Sequence, residues 1–195
     1  MTDKKSALAA QQRERILNAA KTCFVENGLA HTTMRDIASK ADMSLGNIYR
    51  YFKNKEALIE AFIETDNQEL GEAFALLDNA KDFKATLQEI GGEIIKEIAN
   101  KAELLLYTDI LSEALRDEKI MSIVTLDHAE RSLAKSLDKA KKIQRVQLSL
   151  SVDITALSII SFIENAALKC VINKKYSVRT AKKQFKHYID LVIAS

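Results

Sequence analysis

Residues 32–58, TTMRDIASKADMSLGNIYRYFKNKEAL, predict two short helices that are joined by a tight turn and followed at once by a third helix. Thr33 is suited to cap the first helix, and Asp36, three residues later, supplies the other half of a capping box. The apolar stripe of this helix recurs at helical spacing and consists of Met34, Ile37, Ala38 and Ala41. Because small alanines let two helices approach closely, the stretch predicts a helix-turn-helix.

The turn and the second helix have signals of their own. Asp42 is a turn former, and Ser44 is suited to cap the next helix. Within that helix, over residues 45–52, Ile48 and Phe52 are four residues apart and form the inward stripe. The other positions include a glycine, which weakens a helix by about 1 kcal/mol relative to alanine, and two tyrosines. They make a poor surface for a helix that faces only water.

That outer face suits a helix lying in the major groove of DNA. Glycine permits close backbone approach, tyrosine hydroxyls reach phosphates, and asparagine or arginine side chains read base edges. Asn54 is suited to cap the third helix, whose first-turn Lys55 can meet a phosphate together with free backbone N–H groups. An ordinary three-helix subdomain with internal tyrosines is the alternative. Against it stands a cluster of polar and basic residues, namely Arg35, Asn47, Tyr49, Arg50, Tyr51, Lys53 and Lys55.

Five motifs between residues 15 and 58 carry a family resemblance. They are RILNAA at 15–20, Phe24 with Asn27-Gly28, TTMRDIA at 32–38, ADMSLG at 41–46 and YRYFKNKEAL at 49–58. Together they resemble the DNA-binding domain of the TetR family of bacterial transcriptional regulators. The remaining two thirds of the chain match that family only in length and all-helical character. Asp42 stands where the family usually has glycine, and aspartate tolerates the left-handed backbone of such a turn.

The resemblance implies roles for individual residues. It implies phosphate contacts at Thr33, Tyr49, Tyr51 and Lys55. It implies base-facing or base-reading positions at Arg35, Leu45, Gly46, Asn47 and Arg50. Leu45 offers only apolar contact, for instance with a thymine methyl group. The complete predicted DNA-binding set is Thr33, Arg35, Ser44, Leu45, Gly46, Asn47, Tyr49, Arg50, Tyr51, Lys53 and Lys55.

The composition favours an all-α chain. Its 195 residues include five glycines and no proline or tryptophan, and 47% are hydrophobic, which suits long helices with short links. The formal net charge is only +2, so affinity for nucleic acid must come from a local patch. The three histidines are scattered, and the sequence has no glycine-rich phosphate loop or metal-ligand spacing. We therefore expect no enzyme activity, no cofactor and no metal.

Cysteine usage and the N-terminal residues predict a cytoplasmic protein, and the resemblance implies a bacterial one. Cys23 and Cys170 lie far apart in apolar helical runs, as buried free thiols do in a reducing compartment. Residues 1–12 are polar and charged, unlike a secretory signal. The longest apolar run, over 154–172, is interrupted by Glu164 and other polar residues. It predicts a buried or interface helix and no membrane partner.

The chain is predicted to hold two domains. Residues 1–54 form the helix-turn-helix domain, with a mobile arm over 1–9 and a first helix over about 10–27, which Gly28 ends. Residues 55–195 form a larger α-helical domain, to which the resemblance assigns effector binding and dimerisation. A helix from Lys55 towards Leu77 links the two. Later helices are expected over 83–100, 102–116, 119–142, 148–172 and 178–194, and no strand pattern is visible.

The last two helices carry the case for self-association. Apolar residues surround the helix over 154–171 on most sides, and such a helix must be covered on most sides. A partner subunit is an economical cover, although the central helix of a monomer core would fit the same pattern. The resemblance implies a homodimer held by a four-helix bundle. The predicted interface residues are Ile160, Ile163, Ala167, Val171, Phe185, Tyr188, Ile189 and Val192.

The resemblance also implies a small-molecule site among the C-terminal helices. Apolar candidates for its lining are Phe62, Phe74, Phe83, Tyr107, Ile110, Met121, Leu126 and Phe162, although such residues are more often plain core. Polar candidates are Glu113, His128, Glu164 and Asn165. A buried Glu164 would need a cationic ligand, a basic residue of a second subunit, or water. Glu113 is expected to pair with Arg116 or Lys119. The effector would then be small and hydrophobic or cationic.

Two functions fit these patterns. The first is a ligand-responsive repressor that binds a palindromic operator as a homodimer. The second is a DNA-binding regulator whose C-terminal domain senses a protein partner or acts without an effector.

Overall fold

The computed structural model describes residues 2–124, 127–143 and 146–194 of the chain. These residues form ten α-helices, as the all-α prediction requires. The helices are α1 (Thr2–Asn27), α2 (Met34–Lys40), α3 (Leu45–Tyr49), α4 (Lys55–Ala75), α5 (Phe83–Ile98), α6 (Lys101–Ala114), α7 (Glu118–Ile123), α8 (His128–Lys142), α9 (Val152–Ile172) and α10 (Val178–Val192). A turn of 3-10 helix, Leu76–Asn79, follows α4.

Two helix boundaries differ from the prediction for local reasons. α1 begins at Thr2 and not near residue 10, because residues 6–12, SALAAQQ, are mostly strong helix formers with no glycine or proline among them. The predicted arm over 1–9 is therefore helical from its second residue. The single helix predicted over 119–142 is divided into α7 and α8, since the β-branched Val124 has an extended backbone.

A short strand pair was not predicted from the sequence. β1 (Gln147–Leu148) and β2 (Ile193–Ala194) are antiparallel, with the register Gln147↔Ala194 and Leu148↔Ile193. Two residues are too few to show a period-2 pattern. The helix predicted over 148–172 consequently starts later, where Ser151 caps α9 by accepting the N–H of Ile154.

The chain divides into two compact units. The first consists of Met1–Thr65 and Leu105–Thr125, and the second consists of Asp66–Leu104 and Leu126–Ser195. The boundary thus falls inside α4, after Thr65, and inside α6, after Leu104. The sequence offered no linker at either point, and it gave no indication that residues 105–125 pack with the N-terminal helices.

The first unit has a continuous apolar core. Gly28 ends α1 as predicted, with a φ of 81° in the left-handed region that favours glycine. Burial raises the pKa of the Cys23 thiol, which lies in this core as expected. The largest contributions come from Ile16, Phe24, Leu29, Ile37, Ile48, Phe52, Leu58 and Ile59, joined by Leu106, Ile110, Ala114 and Ile120 of the segment 105–125.

The second unit is built on α5, α8, α9 and α10. Its core includes Phe74, Phe83, Leu87, Ile95, Leu133, Leu137, Ile159, Ile163, Phe185 and Ile189. α9 is long and apolar enough to pass for a membrane span by length and composition alone, and 39% of its most apolar 18-residue stretch is buried inside the chain. Because α9 packs against α5, α8 and α10, it is the central helix of this core with one face left uncovered.

Candidate nucleic-acid interface

The N-terminus of α2 is fixed by the predicted capping box. The Thr33 hydroxyl accepts the N–H of Asp36 at 3.3 Å, while Asp36 Oδ2 accepts the N–H of Thr33 at 2.8 Å and its hydroxyl at 2.6 Å. These hydrogen bonds from Thr33 hold the pKa of the Asp36 carboxyl below its ordinary value. The box sets where α2 begins and therefore where Arg35, in its first turn, projects.

The turn between α2 and α3 is also as predicted. Asp42 has a φ of 51°, the left-handed conformation that aspartate tolerates. The N–H of Met43 donates to the carbonyl of Ala38 at 3.0 Å, and the Ser44 hydroxyl accepts the N–H of Asn47 at 3.2 Å. Hydrogen bonds thus cap the C-terminal end of α2 and the N-terminal end of α3 on the two sides of the turn.

α3 buries one face and exposes the other. Ile48 and Phe52 are fully buried, as the i, i+4 spacing predicted. Seven of the predicted DNA-binding residues on α2, α3 and their flanks are exposed, and three of the seven are basic: Thr33, Arg35, Ser44, Gly46, Tyr49, Arg50 and Lys53. A chain with a net charge of +2 therefore has a local basic surface around this helix.

Three other predicted residues lie partly inside the first unit. Leu45 and Tyr51 are half-buried and pack against its core, so the Tyr51 ring is not on the free outer face that the sequence suggested. Asn47 is half-buried as well. α3 itself is shorter than predicted and ends at Tyr49, with Arg50 as its C-terminal cap residue.

The start of α4 has two features. Asn54 caps it by accepting the N–H of Ala57 at 3.0 Å, as predicted. Lys55, predicted to meet a phosphate, has an internal partner: its ammonium group donates to the carbonyl of Leu29 at 2.7 Å. An ammonium group has three donors, so this bond leaves two for other acceptors.

Two long-range contacts in the first unit were not predicted from the sequence. The N–H of Leu29 donates to Asp109 Oδ2 on α6 at 3.2 Å. The guanidinium carbon of Arg13 lies 4.4 Å from the centre of the Phe52 ring, a cation–π contact. Both contacts join residues that are far apart in the chain, and no local sequence pattern predicts such a pair.

Comparison with known proteins identifies the family. The sequence model of one protein family, bacterial regulatory proteins of the tetR family, matches residues 16–62 of this chain. These residues contain α2, α3 and the start of α4. Residues 16–62 thus carry the N-terminal domain of the TetR family.

Two curated TetR-type relatives illustrate the extent of the likeness. The HTH-type transcriptional regulator UidR of Escherichia coli strain K12 is 29% identical over 128 residues, which are 66% of this chain and 64% of UidR. The HTH-type transcriptional repressor KstR2 of Rhodococcus jostii strain RHA1 is 27% identical over 124 residues, 63% of this chain and 61% of KstR2. The chain thus spans just under two thirds of the length of these relatives.

A solved structure extends the shared TetR-family fold to the C-terminal helices. SmeT of Stenotrophomonas maltophilia, in its complex with triclosan, aligns with a TM-score of 0.79 at 17% identity. The alignment covers 95% of this chain and 92% of SmeT.

The residues predicted to bind an effector fall in both units. In the first unit, Ile110 is buried in the core, Phe62 meets Phe24 edge-to-face at 6.1 Å, and Tyr107 and Met121 are exposed. Glu113 is half-buried, and among the described residues no ion pair joins it to Arg116 or Lys119, contrary to the prediction. Arg116 instead donates to the carbonyl of Ser112 at 2.7 Å, one turn earlier on the helix.

In the second unit, Phe74 and Phe83 are buried core residues. Phe162 is half-buried and stacks on Tyr188 with 4.9 Å between ring centres. His128 is half-buried, and Asn165 is exposed. An open depression of about 390 Å³ is lined by none of the predicted residues but by Leu77, Asp78, Ser136, Lys139, Ala140, Lys142 and Ile143. Leu126, the other predicted lining residue, lies outside the described residues.

Glu164 lies on the uncovered face of α9. Its side chain is exposed within the chain. Desolvation by the surrounding apolar residues, and secondarily the carboxylate of Glu130 on α8, nonetheless raise the pKa of Glu164.

Most of the predicted dimer-interface residues on α9 and α10 are buried within the chain itself. Six of them are buried within the second unit's own core, so they present no surface to another copy: Ile160, Ile163, Ala167, Phe185, Ile189 and Val192. Val171 and Tyr188 are half-buried. The uncovered apolar face consists of Ile154 (53% exposed), Leu157 (49%), Leu168 (38%) and Ile172 (69%) on α9, with Leu191 (74%) on α10. A helix that is apolar all round does not reveal which side its own chain covers.

Proposed function

We propose that this chain is a sequence-specific DNA-binding transcriptional regulator, most simply a ligand-responsive repressor that acts in the cytoplasm as a homodimer on a palindromic operator. The observation that carries the proposal is the outer face of α3. Its glycine, tyrosine and arginine are exposed on a helix whose two neighbours are fixed by caps.

The DNA contacts divide by chemistry. Arg35, Asn47 and Arg50 have the side chains that read base edges, while Gly46 lets the backbone of α3 come close to the groove. The remaining polar residues suit phosphate contacts: Thr33, Ser44, Tyr49, Tyr51, Lys53 and Lys55. The hydroxyls of Thr33 and Ser44 already serve as helix caps, so they would contact a phosphate in addition to capping.

The uncovered face of α9 and α10 supports the homodimer. Four large apolar side chains at helical spacing on α9 form a stripe that water would otherwise cover. Packing this stripe against its copy is a two-fold arrangement, in which each residue meets the same surface on the partner. Two-fold symmetry would present two α3 helices to half-sites one helical turn apart, roughly 34–36 Å, or a multiple of that distance.

The ligand response is supported by the relatives. SmeT is the repressor of a multidrug efflux pump and is solved with triclosan, and KstR2 is a transcriptional repressor. By likeness to them, a small hydrophobic or cationic effector would bind among the C-terminal helices and favour a conformer that holds DNA less well. A differential affinity of several kcal/mol between two conformers is enough to release the operator.

Selection of bound duplexes from a random pool tests the proposal, followed by competition with a panel of hydrophobic and cationic compounds. A palindromic site that one compound releases supports the ligand-responsive regulator. A palindromic site that none releases favours the second function, a regulator that answers to a protein partner or acts without an effector. Failure to enrich any sequence rejects the specific-regulator proposal altogether.

A further inference from the structure

We propose that Asp109, on α6 and outside the helix-turn-helix, is a positioning residue for DNA binding that acts through Leu29 on Lys55. The proposal rests on the proposed function, because it concerns how Lys55 is held for a phosphate. It assigns a role in DNA binding to a residue that lies more than 50 positions beyond α3 in the sequence.

Leu29 is the centre of the arrangement. It lies in the loop between α1 and α2, and only 1% of its surface is exposed. Its N–H donates to Asp109 Oδ2 at 3.2 Å, and its carbonyl accepts from Lys55 Nζ at 2.7 Å. Both backbone polar groups of this residue are thus satisfied by charged side chains from two other helices, α6 and α4.

The surrounding loop is otherwise closed by short-range bonds. The Thr32 hydroxyl is buried and donates to the carbonyls of Gly28 and Cys23, at 2.9 and 3.1 Å. The N–H of Gly28 donates to the carbonyl of Phe24 at 2.8 Å. The hydrogen bonds of Leu29 with Asp109 and Lys55 therefore connect this compact loop to α6 and α4. Together they fix the direction of the Leu29 carbonyl.

The position of that carbonyl matters for binding. A free lysine side chain loses conformational freedom when it grips a phosphate, and this loss weakens binding. Lys55 has lost much of that freedom beforehand, because the Leu29 carbonyl holds its ammonium group at the N-terminus of α4, where free N–H groups also attract an anion. Two of its donors remain for the phosphate. Removing the Asp109 carboxylate would leave a buried N–H without its acceptor and let the Leu29 carbonyl shift.

The test uses the full chain with Asp109→Ala, Lys55→Ala, the double variant, and Glu118→Ala as a control carboxylate that is exposed on α7. Affinity for the selected duplex is measured by fluorescence anisotropy at matched salt. We expect Asp109→Ala to weaken binding by about tenfold, the scale of one charge-assisted contact. Since both residues act through one contact, the double variant should bind no worse than Lys55→Ala. Glu118→Ala should bind as the parent does.

Amide hydrogen exchange gives a readout that does not depend on DNA. The Leu29 amide should exchange faster in Asp109→Ala than in the parent and stay unchanged in Glu118→Ala. Should Asp109→Ala fold poorly, Asp109→Asn serves instead, because its amide oxygen still accepts the Leu29 N–H and should keep most of the affinity.

Three results would overturn the inference. They are an unchanged affinity for Asp109→Ala despite faster Leu29 exchange, independent losses that multiply in the double variant, and an Asp109→Asn variant as weak as Lys55→Ala. The two possible failures are distinguished by the parent chain. If the parent binds no duplex, the proposed function fails and the inference with it; if the parent binds and one of these three results is found, only the inference fails.

Discussion

A Cβ atom added to Gly91 on α5 would lie 2.2 Å from Cε1 of Phe185 on α10. That distance is too short for a real Cβ contact, so the ring of Phe185 can pack this close to α5 only because residue 91 has no side chain. Phe185 is fully buried and its ring cannot retreat without disturbing the core of the second unit. Gly91 is therefore present for packing.

Gly91→Ala should destabilise the chain by about 1–3 kcal/mol, the usual cost of overpacking a core, despite the better helix propensity of alanine. Gly92→Ala is a matched control on the next residue, where the added Cβ would lie 3.5 Å from the flexible Lys182 side chain. Urea unfolding followed by circular dichroism compares the three proteins. Equal midpoints for the two variants would show that α5 and α10 are not in this close contact.

Gly46 on α3 presents the opposite case. A Cβ added there would meet no atom within 4 Å, so nothing inside the chain requires a glycine. Gly46→Ala should therefore stabilise the protein by about 0.5–1 kcal/mol through helix propensity. It should also weaken specific DNA binding by about tenfold or more, since the methyl group would stand between the helix backbone and the groove.

Thermal unfolding and duplex binding of the same Gly46→Ala preparation give both numbers. A variant that is more stable and binds DNA as well as the parent would argue against close approach of α3 to the bases.

The sequence was informative where a signal is local. The capping box of Thr33 and Asp36 and the cap of α3 at Ser44 each involve residues within four positions of one another, and all were predicted. The hydrogen bond between Leu29 and Asp109 joins residues 80 positions apart, and no pattern in the sequence around either residue predicts it.

The uncovered face of α9 could not be assigned from the sequence for a different reason. Apolar residues occupy every side of that helix, so the period that separates buried from exposed positions is missing. Packing with α5, α8 and α10 decides which side is free, and that decision depends on the whole second unit.

Substitutions of two basic residues distinguish base reading from phosphate contact. Arg35→Ala should lose preference for the selected duplex over random DNA, at roughly 1–3 kcal/mol, because arginine reads guanine edges. Lys53→Ala should weaken binding to both duplexes alike and reduce the slope of log affinity against log salt by about one. Anisotropy titrations over a range of salt concentrations measure both effects. Equal losses on the two duplexes for Arg35→Ala would mean that it contacts only phosphate.

The homodimer can be tested at the centre of the uncovered face. Leu157→Glu should weaken self-association by roughly 100-fold, because two unpaired carboxylates would be buried in each dimer. Leu115→Glu introduces the same charge at a site in the first unit that is 80% exposed. Sedimentation equilibrium distinguishes them: the control should remain dimeric at concentrations where Leu157→Glu is a monomer. Dimers of unchanged strength in both variants would place the interface elsewhere.

Glu164 and Glu93 should respond to pH in opposite directions. Desolvation raises the pKa of Glu164, so the folded chain binds this proton more tightly than the unfolded chain, and the contribution of Glu164 to stability is lost as pH rises through the raised pKa. Hydrogen bonds from Lys182 and Lys96 lower the pKa of Glu93, whose contribution is lost as pH falls through the lowered value. Both carboxylates are in the second unit.

Urea unfolding of the parent, Glu164→Gln and Glu93→Gln between pH 3 and pH 7, roughly the range around the ordinary glutamate pKa, measures these contributions. Glu164→Gln should gain stability relative to the parent as pH rises above the ordinary value. Glu93→Gln should be less stable than the parent above the ordinary glutamate pKa, because glutamine cannot replace the ion pairs with the two lysines, and this deficit should shrink as pH falls below the ordinary value towards the lowered pKa. A Glu164→Gln variant that tracks the parent at every pH would show that the neighbours of this carboxyl group leave it as well hydrated in the folded chain as in the unfolded one.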